Sequence, residues 1–167
     1  MRSWPLLLAG AAISILVASS LIHSPQPAVA DSALSTVTLS SDETGLVAAI
    51  NARRIADGLV PLAVDPALTQ VARERSTDQA ESHYFSHTAP DGHTVFDLLS
   101  ADGIGWVYGG ENLAESRGTD PVQAAISGFM QSSAHRDNVL GARYARVGVG
   151  AAQTSDATII LTVVFTD

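Results

Sequence analysis

RVGVGAA (146–152) and TIILTVVFT (158–166) are the stretches of this 167-residue chain whose reading decides its fold class. Both are rich in β-branched residues, and Gln153-Thr154-Ser155-Asp156 between them carries turn chemistry. Together they predict an antiparallel hairpin. Its second strand is almost continuously apolar, so it is expected to be covered on both faces.

Everything upstream that has a clear period is helical. Ser40 with Glu43 three residues on is a capping-box start, Leu46, Val47 and Ile50 give the following helix its apolar stripe, and Gly58 ends it. Asp65-Pro66 supplies an N-cap and a first-turn proline to a second helix, which Leu68, Val71 and Ala72 bury and which runs to about Ser82. Pro90-Asp91-Gly92 is a turn, and a short helix follows from Thr94 through Phe96, Leu98 and Leu99 until Gly103. Asp120-Pro121 repeats the cap-plus-proline device. After it, Val122, Ala125, Ile126, Phe129 and Met130 show the cleanest helical period in the chain. Helices in front and strands behind predict an α+β domain with helices packed over a mostly antiparallel sheet.

The N-terminus reads as an export signal. Arg2 precedes an apolar run from Leu6 to Ile22, and Ala28-Val29-Ala30 has the small-x-small form of a cleavage site. Residues 1–30 are therefore expected to be a signal peptide, with an uncleaved anchor as the competing reading. Residues 31–40 are then a small, polar linker, and 41–167 the domain. Secretion or residence in the cell envelope follows from that expectation, with no membrane span once the leader is cut. The chain has no cysteine, so packing must hold the fold without disulfides. All nine basic residues are arginine against seventeen acids, a net charge of −8. That balance argues against nucleic-acid phosphates or an anionic membrane surface as partners. A monomer is expected.

Four segments in order carry a resemblance. They are Gly58-Leu59-Val60-Pro61-Leu62 leading into Asp65-Pro66-Ala67-Leu68; Tyr84-Phe85-Ser86-His87-Thr88-Ala89-Pro90-Asp91-Gly92; Gly110-Glu111-Asn112-Leu113-Ala114; and Ser132-Ser133-Ala134-His135-Arg136-Asp137-Asn138-Val139-Leu140 with Val147-Gly148-Val149-Gly150 after it. From about Leu46 to Phe165 the chain resembles the CAP superfamily of cysteine-rich secretory proteins, venom allergens and pathogenesis-related proteins, in its compact, disulfide-free bacterial branch. The resemblance implies a three-layer α-β-α sandwich. It also implies a cavity lined by two histidines and two acids, which falls here on His87, His135 and Glu111. The second acid is replaced by Ser132 or Ser133, and those serines with Asn112 are expected to line the cavity. Two imidazoles and a carboxylate suit zinc or another divalent cation and leave a position for water.

Each of these residues also has a plainer reading. His87 can be a half-buried histidine bonded to the next turn, and Glu111 a carboxylate in a glycine-rich loop. His135 can sit near the C-terminus of a 121–132 helix, where the dipole favours a cation. His83 and the pairs Arg53-Arg54 and Arg73 with Arg75 are expected on the surface, and His93 follows a turn with no recognisable partner. Trp106 and Tyr108 are expected as core or rim packing, with the lining of a ligand groove as the alternative. Ser132 and Ser133 near His135 do not form the nucleophile elbow of a serine hydrolase. The favoured function is a non-catalytic binding module for a lipid, glycan or other envelope ligand, because the missing second acid weakens a two-carboxylate mechanism. The alternatives are a metal-dependent hydrolase using His87, Glu111 and His135, and an interaction or virulence-type factor acting through its surface.

Overall fold

The computed structural model describes residues 37–167. The leader, and most of the linker, lie outside the described residues. Nine elements follow: α1 (Ser41–Ala56), β1 (Ala63–Val64), α2 (Pro66–Glu81), α3 (Val95–Ala101), β2 (Gly109–Ser116), α4 (Pro121–Gln131), α5 (Ser133–Val139), β3 (Arg146–Gln153) and β4 (Ile159–Thr166). The start signals act as read. Glu43 N–H donates to the Ser40 hydroxyl while Ser40 N–H donates to the Glu43 carboxylate, and Asp65 and Asp120 cap α2 and α4 ahead of their prolines.

The sheet runs β1-β3-β4-β2, with β1 parallel to β3 and the other pairs antiparallel. The predicted hairpin is β3–β4, and β4 is central and buried on both faces. On one face Val147, Val149, Leu161, Val163 and Phe165 join Leu46 and Ile50 of α1 and Ala125, Ile126 and Phe129 of α4 in the larger core. On the other, Leu68, Val71 and Ala72 of α2 and Leu99 of α3 gather with Val164. Here α2 lies on bare strand: a Cβ at Gly148 would overlap the Leu68 carbonyl, and one at Gly150 that of Ala72. The alternation in Val147-Gly148-Val149-Gly150 is thus side-chain core one way and helix-on-backbone contact the other. Helices cover both faces, giving the expected α-β-α layering.

Three sequence readings need correction. GGENLAES (109–116) is a strand rather than a glycine-rich loop, paired to β4 over eight residues. The helix read to Ser132 breaks there, because Ser132 is extended (φ −88°, ψ 124°). His135 therefore stands in the first turn of α5, and the dipole reading of it fails. Arg54 and Arg75 are fully buried, not solvated. Arg54 donates to the carbonyls of Val60, Val139, Gly141 and Tyr144, tying α1 to the turns around α5.

Candidate functional site

Glu111 sits third in β2, and the pleat sends its side chain towards α2 while Asn112 turns to the opposite face. One Glu111 carboxylate oxygen accepts from Arg75 Nε at 3.3 Å; the other meets His87 Nδ1 at 2.5 Å. Arg75 is fixed further by donating to Tyr84 Oη at 2.6 Å and to the Ser86 carbonyl at 2.8 Å. The Tyr84 hydroxyl donates in turn to Asp78. Burial first, and then that hydrogen bond, push its pKa up to about 12, so the phenol stays neutral. His87 is the exposed end of the chain of contacts, its side chain 58% accessible above a carboxylate that is 4% accessible.

His135 approaches from the α5 side. Its ring packs edge-on against Phe129, and its pKa is lowered, first by burial and then by the nearby His87. Asn112 is fully buried and does structural work. It donates to the His135 carbonyl and accepts from Asn138 Nδ2, which also donates to the Glu111 carbonyl. The second half of the site is therefore positioned by β2 through Asn112 and Asn138, not by the His135 ring itself.

The structure thus brings His87 and Glu111 into contact and leaves His135 near His87. As folded, this set does not fit a divalent metal. Both Glu111 oxygens are engaged, one by a buried guanidinium that would repel a dication. Among the described residues no three His, Asp or Glu side chains are grouped as a metal site. Of the expected cavity residues, Ser132 lines a groove with His135; Ser133 is exposed and Asn112 is not in the lining. No hydrogen bond joins either serine to His135 among the described residues, so a nucleophile–base pair is not formed. His93, read as partnerless, pairs with Asp91 at 2.9 Å; both are exposed. His83 is exposed with φ 55° where α2 has ended, and Trp106 and Tyr108 are half-exposed rim residues.

The groove has a volume of about 360 Å³ and runs between Phe85, the outer end of β2 and the Ala124–Gly128–Ser132 side of α4. A larger cavity, about 430 Å³, borders Arg75 among Glu74, Asp78, Asp91 and Asp97, away from His135. Arg75, Tyr84, Asn138 and Phe85 were missed as members of the site. For Arg75 a signal existed: Leu68, Val71, Ala72, Arg75 and Gln79 follow the helical period of one buried face.

A family model described as "CAP: Cysteine-rich secretory protein family" matches residues 47–165, nearly the whole described chain. The chain belongs to the CAP family. YkwD of Bacillus subtilis (strain 168) is 33% identical to it over 131 residues, 76% of this chain and 50% of that protein. The membrane protein YlbC of the same organism is 31% identical over 111 residues, 66% of this chain and 32% of that protein. The chain therefore spans half, or a third, of the length of these relatives. Among solved structures, an outer surface protein of Borrelia burgdorferi superposes with TM-score 0.70 at 21% identity, covering 78% of this chain and 96% of that one. An extracellular protein containing an SCP domain from Bacillus anthracis gives TM-score 0.61 at 29% identity, over 78% of this chain and 45% of that one. Among the described residues of the CAP domain, no helix is long and apolar enough to cross a membrane.

Proposed function

We propose that this CAP domain is a non-catalytic binding module acting outside the cytoplasm, on a lipid, a glycan or another component of the envelope. The observation that carries this reading is that the charged groups of the site satisfy one another. Glu111 is neutralised by Arg75 and bonded to His87, and neither serine is poised on a base. Beside that closed network lies an open groove with apolar walls, the feature that suits ligand capture. Export rests on the N-terminal pattern of positive charge, apolar run and Ala28-Val29-Ala30.

The test pairs binding with turnover. A panel of envelope lipids and polysaccharides is expected to contain a compound that raises the melting temperature of the wild type and of His87→Ala alike. Zinc is expected to add no activity towards ester, amide or glycoside substrates. Turnover that a chelator abolishes and zinc restores would overturn the reading in favour of a metal-dependent hydrolase.

A further inference from the structure

β2 is an edge strand, and its outer side is only partly closed. In an antiparallel strand the N–H and C=O of one residue point to the same side, and successive residues alternate. Tyr108 C=O accepts from Asp167 N–H on the β4 side, whereas Glu111 C=O accepts from Asn138 Nδ2 away from β4. The alternation then turns the backbones of Asn112 and Ala114 to β4 and those of Glu111, Leu113 and Glu115 outward. Asn138 closes the edge at Glu111. The N–H and C=O of Leu113 and Glu115 find no partner outside the sheet among the described residues, although Leu113 is only 6% exposed. Buried backbone groups are almost always paired, so the free N–H and C=O of buried Leu113 call for a partner at this edge, and those of exposed Glu115 extend the same open side.

What lies against that edge is the 360 Å³ groove. Its α4 wall carries Ala124 and Gly128 one turn apart, and a Cβ at Gly128 would meet nothing within 4 Å. Phe85 forms the opposite wall, 43% exposed. A second copy of this sheet would have to bring its own covering helices past Phe85 and α4. Free edges are commonly guarded by lysine, proline, a bulge or an inward-pointing charge. β2 has no lysine, proline or bulge, its register with β4 is unbroken over eight pairs, and its inward charge, Glu111, lies where Asn138 already closes the edge. Recess in the groove protects this edge from other sheets while leaving it open to a single strand.

We propose that the groove receives an extended peptide segment of a partner protein, which pairs with Leu113 and Glu115 as a fifth strand beside β2. Backbone hydrogen bonds supply the register, and an apolar side chain of the peptide lodges between Phe85 and Gly128. A basic residue beside Glu115 complements that exposed carboxylate and the −8 charge of the chain. This deepens the binding reading and rests on the groove being where the ligand sits.

The probe is a displayed library of random octapeptides selected on the full chain, with enriched peptides titrated by fluorescence anisotropy. Enriched sequences are expected to alternate apolar and polar residues with a basic position. Binding is expected to slow amide exchange at Leu113 and Glu115. Gly128→Leu, which fills the groove, and Glu115→Pro, which removes one outward donor without touching a bond to β4, are each expected to weaken binding at least tenfold. Gly128→Leu should keep or raise the melting temperature, because it replaces a glycine inside a helix. No enrichment, or peptides that bind both variants as tightly as wild type without protecting those amides, overturns the proposal. If Gly128→Leu abolishes binding of an envelope lipid or glycan while no peptide is ever enriched, strand addition fails and the binding-module reading stands.

Discussion

On one face of the sheet Val147, Val149, Leu161, Val163 and Phe165 meet α1, α4 and α5 through side chains, while on the other Gly148 and Gly150 let α2 rest on the strand itself. The first face is an apolar core whose parts can relax around a change. The second holds polar groups at close quarters: the buried Ser76 hydroxyl donates to the Gly150 carbonyl, and Arg75, one residue earlier, reaches Glu111 on β2. The contrast explains why the Glu111–Arg75–His87 half of the candidate site lies on the α2 side. Only a helix held that near the sheet can place an arginine against a carboxylate two strands away, in the order β3-β4-β2. The two faces should therefore differ in how they respond to substitution.

The largest effect is expected where backbone meets backbone. Gly150→Val puts a branched side chain into the Ala72 carbonyl, which has no rotamer to yield. Overpacking a core usually costs about 1–3 kcal/mol, but here α2 itself must lift away, and a loss above about 4 kcal/mol is expected. Urea unfolding followed by circular dichroism should show a midpoint far below that of the wild type. A stable Gly150→Val protein would mean that α2 is not in contact with β3. On the side-chain face, Phe129→Ala deletes a ring that is 1% exposed and is expected to cost about 3–5 kcal/mol in urea unfolding. A loss below about 1 kcal/mol would put the wrong face of α4 inward.

The same contrast governs what could be read in advance. The apolar-side face was legible because each inward residue announces itself: the β4 run, the Val122-to-Met130 period and the capped helix starts all survive in the structure. The glycines of β3 were quoted as a motif but not as a contact surface, since glycine gives no sign of what approaches it. β2 was not legible as a strand. Gly109-Gly110-Glu111-Asn112 has neither β-branched residues nor alternation of hydrophobicity, and pairing with β4 across more than forty residues overrides its local preference. Among the site residues, His87 and Glu111 do meet, but what neutralises Glu111 is Arg75, read in sequence as a surface charge. Charge suggested exposure; helical spacing pointed inward, and spacing was the better guide. The break at Ser132 was hidden for a similar reason: nothing in Gln131-Ser132-Ser133 forbids a continuing helix, and only its extended backbone separates α4 from α5.

A smaller effect sharpens the polar side. Arg75→Met removes the guanidinium and leaves Glu111 buried with His87 alone, for an expected loss of about 2–3 kcal/mol in denaturant unfolding. This lies below the usual figure for breaking a buried pair, because one partner remains. Adding Glu111→Gln to Arg75→Met should recover part of that loss, since the buried charge is then gone. A double variant less stable than the two single losses together would assign Arg75 to packing rather than to charge.

The smallest effect is the dependence on pH that His135 contributes. Burial and the proximity of His87 lower its pKa in the folded chain, so the unfolded chain takes up a proton at higher pH than the native one. Above the unfolded value, near 6.5, both states are neutral and the full stability is present. As pH falls from there towards the folded value, the unfolded state binds more protons and stability is lost; below the folded value the loss is constant. His135→Gln removes this titration and leaves the carboxylates, which acid also affects, common to both proteins. Between about pH 7.5 and pH 5 the wild type should therefore lose more stability than the variant, measured as the shift of the urea midpoint. Equal losses would mean that His135 is as solvated in the native state as in the unfolded one, and that the ring does not close the end of the groove against Phe129. The comparison of the two faces would then extend only to Asn112 and Asn138, whose bonds hold the α5 backbone without the imidazole.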